Sequence, residues 1–297
     1  MNIPSLIALF LAAMLGGALN SVAGGGSFIS FPALIFTGVP AINANATNTV
    51  ALWPGSVAST GAYRRELAAL DRLVLLVLSI ISLAGGILGA LLLLHTPQAT
   101  FVRLIPYLLL IATLLFTFSS RITSTIRKLF VRPAAPAPES EIVREPEPLP
   151  GIAEKESSDE AAREKPVGAG GNTMNRRPGA GMMAAISIIQ LIVATYGGYF
   201  GGGMGILILA SLSILGMENI HEMNALKTLL TSFVNGVAVL TFAIFGAVVW
   251  PQALLMVVGA IIGGYGGAYY ARQLDPRVVR AFVILVGFGM TIYFFIR

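Results

Sequence analysis

Two glycine triplets, Gly24-Gly25-Gly26 and Gly201-Gly202-Gly203, hold the chemistry this sequence advertises most openly. Each interrupts an apolar stretch, and each precedes an apolar run too short for an ordinary membrane span, 28–37 in one case and 205–215 in the other. A triplet lets the backbone unwind. The helix that restarts behind it presents unpaired N–H groups and the positive end of its dipole, which together suit an anion. Glycines of this kind also serve simply to let helices pack closely. Their recurrence, each time before a short run, points instead to broken helices with a binding site. Gly24, Gly25, Gly26 and Ser27 would form one half of that site, and Gly201, Gly202, Gly203 and Met204 the other.

The next long run in each half carries a polar stripe. In the first half it is Asn45, Asn48, Thr49 and Ser56; in the second it is Asn224, Lys227, Thr228, Ser232 and Asn235. Spacings of three, four, eight and eleven keep these side chains on one helical face. Asn45, Asn48, Thr49, Asn224 and Thr228 could donate hydrogen bonds to a ligand or hold neighbouring helices together. Lys227 is different. It is the only lysine in the apolar segments, and a cation at a helix centre in the bilayer costs roughly 2.5–3.5 kcal/mol on insertion scales. It either snorkels to the surface, pairs with Glu218 or Glu222 in the preceding loop, or meets its counter-ion in an anionic substrate.

Other chemistries lack their parts. No Asp or Glu sits clearly inside an apolar run, so a carboxylate proton relay has no evident candidate. There are no paired carboxylates, no HExxH zinc site and no Ser-His-Asp set, so no enzyme activity, metal or cofactor is expected. The absence of cysteine removes disulfides and thiolate metal sites.

The elements that position these residues follow from composition. Apolar residues make up 56% of the chain and charged residues 11%, a balance that cannot cover a water-exposed surface but suits a lipid-exposed one. Long apolar runs lie at about 3–23, 45–62, 73–94, 101–119, 181–200, 225–249, 251–271 and 278–296. The start, Met1-Asn2-Ile3-Pro4, has no basic n-region, so the first run reads as a retained helix. Between the fourth and fifth runs, 132–178 is rich in Pro, Glu, Ala and Gly and holds nine of the 14 acidic residues. It reads as a flexible charged linker, expected to be cytoplasmic, between a first membrane repeat at 1–131 and a second at 179–297.

The two sides of the linker are alike. The triplets are 177 residues apart, Asn45-Ala46 and Asn224-Ala225 are 179 apart, and Gly85-Gly86-x-x-Gly89-Ala90 recurs 178 residues on at Gly263-Gly264-x-x-Gly267-Ala268. Nearly constant offsets, in order, indicate an internal duplication. The basic residues then give orientation. If each short run counts as a crossing, Arg64, Arg65 and Arg72, the 121–132 cluster, Arg176 and Arg177, and Arg272, Arg277 and Arg280 all fall on one side, and the halves are inverted. If the short runs are re-entrant, the halves are parallel and the 272–280 cluster lies outside, against the positive-inside rule. That rule favours inversion.

Asn20-Ser-Val-Ala-Gly-Gly-Gly-Ser-Phe-Ile-Ser-Phe-Pro32 and Gly38-Val-Pro-Ala-Ile-Asn-Ala-Asn-Ala-Thr-Asn48 resemble the N-terminal signature of the TauE/SafE sulfite exporter family. Gly197-Gly-Tyr-Phe-Gly-Gly-Gly-Met-Gly205 and Asn224-Ala-Leu-Lys-Thr228 resemble that family's repeat of it. The resemblance covers both membrane halves and implies a bacterial inner-membrane permease that moves sulfite, sulfoacetate or a related small anion, often outward. The linker is longer and more charged than the family pattern. Met204 stands where the first half has Ser27, so the two half-sites differ.

The expectation is an all-α integral membrane protein of two homologous, inverted repeats. Each would hold four long transmembrane helices and one short or broken helix, giving 8–10 membrane elements. Its partners would be a small anionic substrate and the lipid bilayer. No water-facing basic stripe supports nucleic acid. Glycine-rich faces permit a homodimer without demanding one. Two alternatives stay open: a passive anion channel with the same site, and a membrane receptor or scaffold acting through the linker.

Overall fold

The computed structural model describes residues 3–22, 25–130, 180–215, 217, 219–270 and 276–296. Gly24 and the expected linker at 132–178 lie outside the described residues. The described residues form eleven helices: α1 Ile3–Val22, α2 Ser27–Phe36, α3 Ala41–Ala62, α4 Arg64–Ala68, α5 Arg72–His95, α6 Gln98–Phe130, α7 Ala180–Tyr199, α8 Met204–Ile214, α9 Ile220–Ile244, α10 Trp250–Tyr270 and α11 Pro276–Ile296. No strand occurs among them. The two short apolar runs are α2 and α8, each beginning directly after its glycines.

Among the described residues, five helical stretches are long and apolar enough to cross a membrane: Ile3–Asn20, Arg72–His95, Gln98–Ser119, Gly181–Tyr199 and Ile220–Ile244. α3 is long enough but diluted by Asn43, Asn45, Thr47, Asn48 and Thr49. Trp250–Tyr265 of α10 and Arg280–Ile296 of α11 are apolar as well. α6 extends well beyond its apolar part, because no helix breaker intervenes before Pro133. The small helix α4 follows α3 at the end of the bundle that carries Arg64, Arg65 and Arg72, called here the basic end.

Glycines set which helices touch. A Cβ at Gly263 would overlap the Met14 carbonyl, and one at Gly17 the Ala260 carbonyl, so α10 and α1 lie backbone to backbone. A Cβ at Gly89 would overlap the Thr195 carbonyl and one at Gly198 the Gly86 carbonyl, which fits α5 to α7 in the same way. The two copies of the duplicated glycine motif therefore do the same job in two places. The chain halves interlock through them, with α5 of the first half packed on α7 and α10 of the second on α1.

Residue pairings give relative direction. Gly259 meets Phe10 and Gly263 meets Met14, so α1 and α10 run parallel. Gln190 donates to Ser82 at 2.8 Å and Gly89 meets Thr195, so α5 and α7 also run parallel. α3 and α9 run antiparallel, since the Thr60 hydroxyl pairs with that of Ser232 at 2.9 Å whereas Asn43 donates to the Ala247 carbonyl at 2.8 Å. α6 and α11 are antiparallel too: Tyr107 packs edge-on against Phe295, Gly287 against Thr113, and Arg280 against Phe116 and Thr117.

The short helices run outward from the interior in opposite senses. α2 carries Phe36 to the far end, where the ring packs edge-on with Tyr293 and stacks with Phe294 of α11. α8 runs to the basic end, where Leu212 and Leu215 join a core with Leu70 and Val74. A second core, centred on Phe31, Phe101, Ile105 and Phe242, fills the far half.

Candidate functional site

Both glycine breaks face one cavity of about 610 Å³. Gly25 and Ser27 contribute from the first break, Gly201, Gly202, Gly203, Met204 and Gly205 from the second. Ser59, Tyr63, Ser119 and Arg280 line it toward the basic end, and Phe28 and Phe200 lie deeper.

The second break is held open by its backbone. Gly201 and Gly203 have φ of 80° and 75°, a left-handed region that costs side-chain-bearing residues energy and glycine almost none. Tyr196 fastens the turn: its hydroxyl donates to the Gly202 carbonyl at 2.6 Å, and its own carbonyl accepts from Phe200 N–H at 2.9 Å. α8 then starts from Gly203 with no side-chain cap, and α2 starts from Gly26 likewise uncapped. Gly25, with φ 88°, gives the first break the same kind of turn. The Phe28, Ile29, Met204 and Ile206 N–H groups bond to glycine carbonyls of the turns, and the other N–H groups at these starts are left for water or a ligand, with the dipole adding partial positive charge. Two such starts on one cavity make an electropositive interior from backbone alone.

α9 adds the side chains. Asn224, Lys227, Thr228, Thr231 and Asn235 all line the cavity. Lys227 rests its stem on the first turn of α8: a Cβ at Gly205 would stand 3.4 Å from Lys227 Cδ, so the glycine makes room for the lysine. Among the described residues the Lys227 ammonium has no hydrogen bond or ion pair. Glu222, one partner considered for it, accepts from Asn219 Nδ2 at 3.1 Å instead; Glu218, the other, lies outside the described residues.

The expected residues thus divide. Gly25, Ser27, Gly201, Gly202, Gly203, Met204, Asn224, Lys227 and Thr228 come together on the cavity wall. Gly26 is buried instead against Gly16, whose backbone a Cβ would strike. Asn45, Asn48 and Thr49 are turned inward: Asn45 Nδ2 donates to the Tyr199 carbonyl at 3.1 Å, Asn48 Nδ2 donates to Ser27 Oγ at 3.2 Å and its Oδ1 accepts from Ser30, and Thr49 Oγ1 donates to the Asn45 carbonyl at 2.9 Å. Asn48 thereby fixes the Ser27 hydroxyl at the cavity edge. The α9 threonine repeats the α3 one, with Thr228 Oγ1 donating to the Asn224 carbonyl at 2.7 Å.

Arg280 is a charged wall residue outside the expected site. Placed in a basic loop cluster by its neighbours, it sits in α11, and its Nη2 donates to the Phe116 and Thr117 carbonyls at 3.3 and 2.9 Å and to Ser119 Oγ at 3.1 Å. Ser56 and Asn235, seen in the polar stripes but not assigned to the site, also line the cavity. Among the described residues no cluster of His, Cys, Asp or Glu could hold a metal ion.

The cavity is closed toward the far end. Phe200 packs edge-on against Phe31 with centroids 5.8 Å apart, and Tyr199 packs edge-on against Phe101 at the same separation. Phe31 and Phe101 are almost wholly buried.

Comparison with known proteins agrees over nearly the whole chain. The family model described as "Sulfite exporter TauE/SafE" matches residues 9–294. "Probable membrane transporter protein ORF9" of Sinorhizobium sp is 26% identical over 289 residues, covering 96% of this chain and 90% of the relative. A "Probable membrane transporter protein" of Haemophilus influenzae is 24% identical over 291 residues, 98% of this chain and 94% of the relative. "Probable membrane transporter protein YfcA" of Escherichia coli K12 is 24% identical over 285 residues, 95% and 87% respectively. No solved structure matches the chain.

Proposed function

We propose that this chain, which belongs to the sulfite exporter TauE/SafE family of multi-pass membrane transporters, exports a small sulfur-containing anion by alternating access. The observation that carries the reading is one cavity with two uncapped helix starts and Lys227, a cation with no anionic partner among the described residues. A cation inside a membrane-spanning bundle is costly. An oxyanion supplied as cargo offsets that cost, while backbone N–H groups and the Ser27, Asn224 and Thr228 side chains take its oxygens. Sulfite, sulfoacetate or a related organosulfonate has the charge and the several acceptors this surface would satisfy.

The layout supports an inverted repeat. α3 and α9 hold matching places in the two halves and run antiparallel, as do α6 and α11. The parallel pairs α1–α10 and α5–α7 exchange under the same operation. With the basic end cytoplasmic, as the positive-inside rule prefers, the linker is cytoplasmic and the cavity opens inward in an inner membrane. Phe31 and Phe200 then shut the outer side. Inverted repeats supply the other state by exchanging the roles of their halves. In that state Asn45, Asn48 and Thr49 would take the wall positions that Asn224, Lys227 and Thr228 occupy here. The packing of α5 on α7 and of α10 on α1 supports rocking bodies that each draw helices from both halves.

Proteoliposomes containing only this protein test the reading. Loaded with sulfite, sulfoacetate, sulfate or chloride, they should show saturable efflux selective for a sulfur oxyanion and accelerated by the same anion on the opposite face. Folded protein giving no flux of any sulfur oxyanion removes the substrate class; flux that never saturates and shows no exchange points to a channel.

A further inference from the structure

Trp53 of α3 touches its own counterpart in the other half. Its Nε1 donates to the Ser232 carbonyl at 3.1 Å, and a Cβ at Gly236 would stand 3.2 Å from the indole. Trp53 and Ser232 are 179 residues apart, the offset that also relates Asn45 to Asn224. The same offset carries the Thr49 hydroxyl bond onto that of Thr228, each made to the carbonyl four residues back. Two antiparallel helices related by a two-fold axis meet at matching residues only where that axis passes between them. The operation that exchanges the halves therefore runs through the α3–α9 crossing.

One turn further along each helix, the same offset pairs Ser56 with Asn235. Both line the cavity, and neither side chain forms a hydrogen bond among the described residues. Asn235 stands eight residues after Lys227 in α9, roughly 12 Å farther from the basic end at 1.5 Å per residue. The amide and the hydroxyl bring donors without formal charge. Exchanging the halves puts Asn48 in the place of Lys227 and so withdraws the cation from the wall. The same exchange puts Ser56 in the place of Asn235 and Asn235 in the place of Ser56, which leaves the pair where it was.

We infer that Ser56 and Asn235 form a second, uncharged anion subsite that holds the cargo in both orientations of the transporter, whereas Lys227 holds it in one. An oxyanion leaving Lys227 for the far side keeps donors on its oxygens while the ammonium is withdrawn, so it is neither stripped bare nor trapped. This rests on the alternating-access reading and adds to it the residues that accompany the anion across.

The test is sulfoacetate transport by the full chain in uniformly oriented proteoliposomes, with the anion offered in turn at each face. Asn235→Ala should raise KM about tenfold from the basic-end face and by the same factor from the far face, the lower end of the range for a hydrogen bond to a charged group. Lys227→Ala should raise KM from the basic-end face alone. The double exchange Ser56→Asn with Asn235→Ser should keep both KM values close to the parent, because it returns the same pair. A change from one face only in Asn235→Ala, or no change from either, overturns the inference. If Asn235→Ala does not fold, Ser56→Ala, which loses a single hydroxyl, decides by the same comparison of faces. Wild type that moves no sulfoacetate would instead bring down the transport reading beneath the inference, and the inference with it, a result distinct from a one-sided KM.

Discussion

Asn45 donates through Nδ2 to the carbonyl of Tyr199, 3.1 Å away. A side chain of the first half thus fastens the backbone that leads into the second half's glycine turn. Phe200, the next residue, closes the cavity against Phe31. The closure on the far side is therefore made of contacts between halves, and these are the contacts that must break if the site is to face the other way.

Asn45→Ala leaves that buried carbonyl without its donor, at a cost of about 1–3 kcal/mol. Thermal unfolding in detergent should register the loss. The chain has no cysteine, so a single Ser27→Cys reports access cleanly. Impermeant thiol reagents should label it from the basic end in the parent, and from the far end as well once Asn45→Ala is added. Unchanged one-sided labelling would separate the Asn45 bond from gating.

Lys227→Ala should weaken binding of a sulfur oxyanion about ten- to hundredfold, the range of a contact to a charged group worth roughly 1.5–3 kcal/mol. Folding should survive, because the lysine makes no hydrogen bond or ion pair among the described residues. Isothermal titration alongside a melting curve reads both. Normal affinity in a normally folded variant would take Lys227 out of the site.

Much of this arrangement was legible in the chain, for identifiable reasons. The glycine triplets and short apolar runs announce α2 and α8 to within a residue, because glycine cannot sustain a helix there and the following runs are too short to span. The duplicated Gly-Gly-x-x-Gly-Ala segment announces close packing but not its partner. That α5 lies on α7 and α10 on α1 depends on contacts far apart in sequence. Spacing placed Asn45, Asn48 and Thr49 on one face, yet whether that face meets the cavity depends on how α3 packs, and here their side chains bond to Tyr199, Ser27, Ser30 and their own helix. Arg280 was hidden by its basic neighbours at 272 and 277; only the packing of α11 on α6 turns it toward the cavity. α4 is too short and too charged to carry a periodic signal.

The Lys227 stem depends on the missing side chain at Gly205. Gly205→Ala places a methyl at an ordinary 3.4 Å from Cδ, so stability and anion affinity should stay close to the parent. Gly205→Leu fills the space the stem uses and should displace the ammonium, lowering affinity severalfold with little change in melting temperature. Measuring both variants by titration distinguishes displacement of the lysine from damage to α8, which would depress melting in each.

The α1–α10 contact offers a stability test independent of function. A Cβ at Gly263 would run into the Met14 carbonyl, which is backbone and cannot swing aside, whereas the nearest atom to a Cβ at Gly264 is the Gly17 carbonyl at 3.8 Å. Gly263→Ala should therefore force the helices apart and cost about 1–3 kcal/mol, as overpacking does elsewhere. Gly264→Ala should be neutral or slightly stabilising, since alanine loses less backbone entropy than glycine in a helix. The two substitutions are chemically identical and adjacent, so general effects of alanine on insertion or expression cancel between them. Equal melting temperatures for the pair would mean that α1 and α10 do not approach this closely, and would remove the interlock of the two halves on which the assignment of rocking bodies depends.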